Sequence, residues 1–198
     1  ITCLNARQHQ FVAEGLTMIY LVGGAPRVGK SIICQQVAAR LAIGWMSTDV
    51  LVQLLKLQSN DAVSIEWNVP ASISATADWF FPDLERFVWG VSSLAEQYVI
   101  EGVDFLPAHA ARLAEQYPLR CVFLGCSDMT LERFERFPGK SPGYTGLPPA
   151  IGRQIVAHVP MHSELVRREA ERFGFPYLDM AGDFAARLRD ADAALTGA

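Results

Sequence analysis

The chain has 198 residues, 51% of them hydrophobic, which suits one globular domain with a sizeable core. Its 17 basic and 21 acidic side chains give a formal net charge of −4, which argues against long nucleic acid as a partner, because that binding needs a basic surface. The longest apolar runs have the length of strands and are far too short to span a membrane, so no membrane partner is expected.

Hydrophobic periodicity and turn signals predict elements in this order along the chain: strand 17–22, helix 31–43, strand 45–47, helix 48–57, helix 82–99, strand 98–103, helix 107–117, strand 120–125, helix 130–137, a helix containing 163–173, strand 176–180 and helix 183–194. Residues 1–15 are expected to be partly helical, and residues 58–80 are less regular. Seven of the twelve residues at 138–149 are Pro or Gly, so no regular element is expected there. Because strands and helices alternate, the sequence predicts an α/β fold with a mainly parallel, five-stranded sheet.

The most specific pattern is Gly-Ala-Pro-Arg-Val-Gly-Lys-Ser at 24–31, which matches G-x-x-x-x-G-K-[ST] between a predicted strand and helix. In such a P-loop, backbone N–H groups and the N-terminal end of the next helix bind anionic oxygens. The pattern assigns Lys30 to the β- and γ-phosphates and the Ser31 hydroxyl to Mg²⁺, so ATP and Mg²⁺ are the predicted cofactors. A plain glycine turn is the alternative. The predicted nucleotide-binding residues are Gly24, Ala25, Pro26, Arg27, Val28, Gly29, Lys30, Ser31 and Ile32.

Carboxylates follow the predicted strands at the edge where open α/β sheets bind ligands. Glu101 follows an apolar strand, where it could hold Mg²⁺ or orient the attacking group, or merely face solvent. Asp49 could accept the proton of an acceptor hydroxyl, or it could cap the helix at 48–57. Asp104 could face the same cleft or cap the helix at 107–117.

The Pro/Gly-rich segment has the composition of a lid that excludes water during phosphate transfer. Arg133 and Arg136 precede it, Lys140 lies within it and Arg153 lies just beyond. Each alone could be a solvated surface charge, but at least one is expected to reach the phosphates, because Arg and Lys stabilise the charge of phosphoryl transfer.

Other patterns point more weakly to chemistry. His158 and His162 are four residues apart, but Pro160 between them is expected to disrupt a regular helix, and the four histidines form no metal-binding pattern. They are expected to be structural or surface residues. The apolar cluster at 79–81 either packs in the core or lines an acceptor pocket. Four cysteines without C-x-x-C spacing are expected to be reduced, with Cys34 and Cys121 buried, which makes the cytoplasm the expected compartment.

Five segments of the chain resemble the same known family. They are similar to the small P-loop kinases of the nucleoside monophosphate kinase type and lie at 22–31, 47–49, 100–107, 120–132 and 175–179. The Glu-Gly-Val sequence that begins at 101, with its later Pro, looks most like the 2-phosphoglycerate kinase group. The resemblance implies a single three-layer P-loop domain over 1–198, with a helical acceptor-binding insert at about 49–95 and a lid at about 133–153.

The resemblance also implies roles for individual residues. Lys30 and Ser31 would bind the phosphates and Mg²⁺, Glu101 would take the place of the Walker B carboxylate, and Asp49 would face the acceptor. The segment at 181–182 would lie near the adenine.

Two departures from the family pattern leave the acceptor open. Asp104 stands where the phosphoglycerate group is expected to have histidine, and the lid lacks the clearest arginine pattern of the superfamily.

The leading hypothesis is an ATP- and Mg²⁺-dependent phosphotransferase that acts on a small-molecule acceptor, as a monomer or homodimer. The predicted catalytic residues are Lys30, Asp49, Glu101, Arg133 and Arg136, and the predicted metal ligands are Ser31 and Glu101. A nucleotide-binding switch or regulatory ATPase that acts through a protein partner is the alternative. A kinase of nucleotides or nucleic-acid ends is a third possibility.

Overall fold

The computed structural model describes residues 17–58, 63–94, 96–136 and 148–197. The strands are β1 Ile19–Gly24, β2 Gly44–Ser47, β3 Tyr98–Glu101, β4 Leu119–Gly125 and β5 Tyr177–Asp179. The helices are α1 Lys30–Leu41, α2 Thr48–Lys56, α3 Pro70–Ser93, α4 Pro107–Ala114, α5 Leu131–Arg136, α6 Pro149–Phe173 and α7 Phe184–Thr196. The helix expected at 1–15 and the centre of the expected lid, 137–147, lie outside the described residues.

The five strands form one parallel sheet in the order β2–β3–β1–β4–β5. The central strand β1 pairs with β3 on one side and β4 on the other, with Val22 opposite Glu101 and Gly24 opposite Leu124. Glu101 in turn lies opposite Ser47 of β2. The loop that follows β1 therefore emerges between the ends of β3 and β4, beside the start of α2.

The sheet is buried on both faces, as expected for parallel strands with helical crossovers. One apolar cluster joins Leu21, Ile100 and Phe123 to helices α3, α4 and α6. The other joins Val22 and Val122 to α1, α7 and the first half of α6. This arrangement confirms the predicted three-layer α/β fold.

Helix α3 begins at Pro70, so the prediction of an irregular segment up to residue 80 and a helix starting at Pro82 was wrong for this stretch. Pro82 lies inside the helix, where proline removes a backbone donor and is normally unfavourable. The helix continues because it buries an apolar face on both sides of Pro82, with Ile73 and Phe80 before it and Leu84 after it. The packing of this apolar face therefore outweighs the tendency of Pro82 to break the helix.

Helix α6 contains a second internal proline, Pro160, and runs without interruption from Pro149 to Phe173. The expectation that Pro160 would break the helix was therefore wrong. The buried face that includes Val159 and Val166 supports the helix on both sides of Pro160. As a result, His158 and His162 lie one turn apart on the same helix.

Smaller features of the described chain also bear on the sequence predictions. Helix α1 ends at Leu41 and is capped by Ala42 in a left-handed conformation (φ 54°), so it stops slightly before the predicted end at 43. Cys34 and Cys121 are buried free thiols, as expected, and so is Cys126. Among the described helices, none combines the length and apolar character needed to cross a bilayer.

Candidate active site

The loop between β1 and α1 adopts a conformation that depends on its two pattern glycines. Gly24 has φ 123° and Gly29 has φ 95°, values that residues with a Cβ rarely adopt. A Cβ placed on Gly24 would lie 1.9 Å from the carbonyl oxygen of Leu124. The Ala25 N–H donates to that same oxygen at 3.0 Å, which fixes the loop against the end of β4.

Replacing Gly24 by Ala is expected to destabilise the fold by about 2–4 kcal/mol, because strained backbone and a clash with a main-chain oxygen occur together. Urea unfolding of the purified variant measures this loss. Gly90→Ala is the matched control: a Cβ there meets no atom within 4 Å, and helix α3 should gain roughly 0.5–1 kcal/mol. Equal free energies of unfolding for the two variants would contradict this interpretation of the loop.

Lys30 is the first residue of α1, and its side chain reaches back across the loop. The Nζ donates to the carbonyl oxygens of Gly24 at 3.1 Å and of Ala25 at 2.6 Å. Burial lowers the pKa of Lys30, and the carboxylates of Glu101 and Asp49 oppose that shift. An ammonium group is thus positioned inside the loop that the sequence predicts to bind phosphates.

Glu101, the last residue of β3, is hydrogen-bonded to Ser31, the other predicted metal ligand. The Ser31 hydroxyl donates to Glu101 Oε1 at 2.9 Å, and the Glu101 side chain is buried. The alternative of a solvent-facing carboxylate was therefore wrong. Two oxygen ligands that meet at one point suit Mg²⁺, which takes few protein ligands and completes its shell with phosphates and waters. No group of three or more His, Cys, Asp or Glu side chains that could hold a metal ion occurs in the part of the chain that the structure describes.

Asp49 and Asp104 do not cap helices, so those alternatives were wrong. Ser47 occupies the N-cap position of α2 and makes no side-chain capping bond, while Asp49 lies within the first turn. Leu106 occupies the N-cap position of α4. Asp104 Oδ2 instead accepts a hydrogen bond from Thr48 Oγ1 at 3.0 Å. Both carboxylates are thus placed at the carboxyl ends of β2 and β3.

Gly102 makes the Thr48–Asp104 contact possible, because a Cβ at that position would lie 1.7 Å from Thr48 Oγ1. Burial, and then the neighbouring Asp49 carboxylate, raise the pKa of Asp104 to about 6, while the hydrogen bond from Thr48 acts in the opposite direction. Asp104 therefore changes charge close to neutral pH.

The shifted pKa of Asp104 predicts a pH-dependent effect of Asp104→Asn on stability. The folded value of about 6 lies above the unfolded value. The native state therefore keeps a proton that the unfolded state loses, and the wild type loses stability as pH rises from about 4 to about 6. Relative to the wild type, the free energy of unfolding of Asp104→Asn should be higher by up to about 3 kcal/mol above about pH 6 and unchanged below about pH 4.

Urea unfolding at about pH 4 and about pH 8 measures this difference. Asp190→Asn is the control, because Asp190 is a partly exposed residue of α7 that is paired with Arg187. If the free energies of unfolding of Asp104→Asn and the wild type differ by the same amount at both pH values, the raised pKa assigned to Asp104 is contradicted.

The predicted lid arginines differ in their surroundings. Arg133 Nη1 donates to Asp128 Oδ1 at 3.0 Å, and Nη2 donates to the carbonyl oxygen of Met180 at 2.5 Å. Arg133 thus connects the segments that follow β4 and β5. Arg136 is exposed at the end of α5, and Arg153 is exposed on α6. Lys140 lies outside the described residues, and contact of any of these side chains with phosphates stays a prediction.

The segment after β5 lies beside the P-loop. The Asp179 carboxylate accepts from the backbone N–H groups of Ser127 and Ala181, at 3.1 and 3.0 Å. The ring of Phe184 lies so close to Gly29 that a Cβ there would be 2.7 Å from Phe184 Cζ. The prediction that 181–182 lies near the adenine is compatible with this position and stays a prediction.

His158 and His162, which were expected to be structural or surface residues, form a buried pair. His158 Nδ1 accepts from the backbone N–H of Asn68 at 3.1 Å, and His158 Nε2 lies 3.3 Å from His162 Nδ1. Trp67 packs edge-on against His158, with ring centroids 5.1 Å apart. Both histidines are buried, so a surface position was wrong. The i, i+4 spacing was the available signal, and the helix-breaking tendency of Pro160 obscured it.

No protein-family model and no curated protein matches the sequence. Solved structures do match the fold. A shikimate kinase from Bacteroides thetaiotaomicron has a TM-score of 0.52 at 12% identity and covers 89% of this chain and 96% of its own. A shikimate kinase from Acinetobacter baumannii in complex with shikimate has a TM-score of 0.50 at 13% identity, covering 94% and 95%. A gluconokinase from Sinorhizobium meliloti 1021 has a TM-score of 0.49 at 16% identity, covering 92% and 93%.

At such low identities, these likenesses show the fold alone. The two shikimate kinases share the α/β fold of this chain. They do not single out the 2-phosphoglycerate kinase group that the sequence resembles.

Proposed function

We propose that this chain is an ATP- and Mg²⁺-dependent phosphotransferase that acts on a small-molecule acceptor. The observation that carries the proposal is the group formed by Lys30, Ser31 and Glu101. The lysine lies inside a glycine-dependent loop, and the serine is hydrogen-bonded to a buried carboxylate at the end of the adjacent strand. Ammonium group, hydroxyl and carboxylate are the set that P-loop enzymes use to hold a metal-bound triphosphate.

In this proposal, the protein acts mainly by positioning and charge stabilisation. The backbone N–H groups of residues 24–32 and the Lys30 ammonium bind the phosphate oxygens, and Ser31 and Glu101 hold Mg²⁺. When bound, Mg²⁺ neutralises charge on the phosphates. Asp49 accepts the proton of the acceptor hydroxyl. The hydroxyl oxygen of the acceptor bonds to the terminal phosphorus, and ADP leaves.

The acceptor would bind to the insert at about 49–95, which contains α2 and α3, under a lid at about 133–153 that includes Arg133 and Arg136. The neighbouring carboxylates of Asp49 and Asp104 favour an acceptor that is neutral or cationic where it meets them, because like charges repel. Polyols are suitable first candidates, as are hydroxy acids whose neutral hydroxyl end meets these carboxylates, and 2-phosphoglycerate tests the resemblance seen in the sequence.

A transfer assay with γ-labelled ATP and Mg²⁺ tests the proposal. The panel contains shikimate, gluconate, 2-phosphoglycerate, uncharged polyols and nucleosides, with Lys30→Ala as the inactive control. The expected result is labelled product with at least one compound and none with the variant. If the wild type transfers no phosphate and binds no ATP, the proposal is wrong. Slow hydrolysis that no compound changes, together with a stable protein complex, would favour the regulatory ATPase.

A further inference from the structure

The histidine pair on α6 has a defined proton arrangement. A backbone N–H can only donate, so His158 Nδ1 accepts from Asn68 and the proton of His158 lies on Nε2. That Nε2–H donates to His162 Nδ1 at 3.3 Å, which leaves the proton of His162 on its own Nε2. Burial lowers the pKa of both rings, to about 3 for His162, so both are neutral at physiological pH.

Within the described part of the chain, the second ring nitrogen of His162 has no hydrogen-bond partner. Its Nε2 is buried, and no described residue accepts from it. The His162 side chain is almost completely enclosed, with 1% of its surface exposed. A buried N–H group without a partner is costly and rare in folded proteins, so this donor is expected to meet an acceptor in some state of the protein.

The position of His162 indicates where that acceptor binds. The next residue, Ser163, accepts a hydrogen bond at 2.8 Å from the backbone N–H of Cys126, directly after β4. One turn before His162, Val159 belongs to the apolar cluster that contains Ala25 and Val28 of the P-loop. The positive charge of Lys30 contributes to the low pKa of His162, after burial and His158. The segment of α6 around His162 therefore packs at the carboxyl end of β4, where the backbone N–H of Ala25 is bonded to Leu124 at the start of the P-loop.

We propose that the His162 Nε2–H donates a hydrogen bond to an oxygen of the terminal phosphate of a bound nucleoside triphosphate. His158 is the positioning residue, because its own hydrogen bonds fix which nitrogen of His162 carries the proton. A neutral donor adds a directed hydrogen bond next to Lys30 without placing a second cation beside the ammonium. This inference rests on the proposed function, since it requires nucleotide in the P-loop.

Nitrogen-15 NMR of the histidine rings tests the proposal directly on the wild-type protein. Spectra are recorded without ligand, with Mg²⁺–ADP, and with the non-hydrolysable triphosphate Mg²⁺–AMP-PNP. Without ligand, His162 should be protonated on Nε2 only. The Nε2–H resonance should shift on saturation with Mg²⁺–AMP-PNP and stay in place with Mg²⁺–ADP, because only the triphosphate carries the terminal phosphate.

Two variants test the contribution to binding by calorimetry. His162→Phe keeps a buried ring but removes the donor, and it should weaken Mg²⁺–AMP-PNP binding by about tenfold or more while leaving Mg²⁺–ADP within about twofold. His162→Gln retains an N–H donor and should recover much of the loss. His109→Phe is the control: His109 is also buried, but both of its ring nitrogens have partners, in Leu106 N–H and the Asp78 carboxylate.

The outcomes separate this inference from the function on which it rests. If Mg²⁺–AMP-PNP binds while the His162 resonance and the affinity of His162→Phe stay unchanged, the inference is wrong and the proposed function stands. An equal loss of affinity for both nucleotides in His162→Phe, not recovered in His162→Gln, also overturns it, because that result indicates a purely structural role. If neither nucleotide binds to the wild type, both proposals fail.

Discussion

Replacement of Lys30 by methionine is expected to lower kcat/KM for phosphate transfer by about 10²–10³-fold, the cost typical of removing one donor to developing charge. Methionine has a similar length but no charge, so the backbone of the loop should be preserved. The ammonium now held by Gly24 and Ala25 is the group that would otherwise contact the terminal phosphates. Initial rates with the acceptor that the transfer assay identifies measure the loss.

Arg168→Met is the matched control for this experiment. Arg168 is a largely exposed cation on α6 that is hydrogen-bonded to Glu164, away from the P-loop. Its removal should leave kcat/KM almost unchanged. Comparable losses in the two variants would show that Lys30 contributes no more than any other positive charge, and would contradict its assigned role.

Replacement of Asp49 by asparagine is expected to lower kcat by about 10²–10⁴-fold, the range for a lost general base, with little change in ATP affinity. Asparagine keeps the size and polarity of the side chain but accepts a proton poorly. Asp190→Asn is the control, because Asp190 is an aspartate of α7, outside the proposed acceptor-binding insert, and is paired with Arg187. Separate measurement of kcat and of the ATP dissociation constant distinguishes proton transfer from nucleotide binding.

The Asp49 substitution has a second expected consequence. Because the Asp49 carboxylate is the second-largest cause of the raised pKa of Asp104, its neutralisation should lower that pKa towards the ordinary value. A carboxyl titration of Asp104 by NMR in both proteins measures this effect. An unchanged kcat together with an unchanged Asp104 titration would remove Asp49 from the proposed site.

The most accurate predictions from the sequence concern the P-loop pattern and its flanking elements, where the residues of the predicted site also determine the local backbone. The strand before the P-loop pattern (predicted at 17–22, observed at Ile19–Gly24) and the helix after it (predicted at 31–43, observed at Lys30–Leu41) were found with small shifts of their ends. Glycine conformations, buried strand residues and the helix start are encoded there within one short segment. The pairing of Ser31 with Glu101 followed from the parallel sheet, which brings the ends of β1 and β3 together. These are features that short-range signals and strand topology determine.

Other features depended on contacts that the sequence does not display. Pro82 and Pro160 suggested helix boundaries, yet the buried faces of α3 and α6 hold both helices together across them. The capping and site roles of Asp49 could not be separated until the structure placed Ser47 at the N-cap. The unpartnered nitrogen of His162 is apparent only once Asn68 is seen to fix the orientation of His158.

A crystal structure of the complex with Mg²⁺–AMP-PNP tests the central claim most directly. The account predicts that phosphate oxygens accept hydrogen bonds from the backbone N–H groups of the loop at 24–31, with Lys30 Nζ moved from the carbonyls of Gly24 and Ala25 to the terminal phosphates and Ser31 beside the metal. Triphosphate bound elsewhere, with Lys30 still held by those two carbonyls, would contradict it.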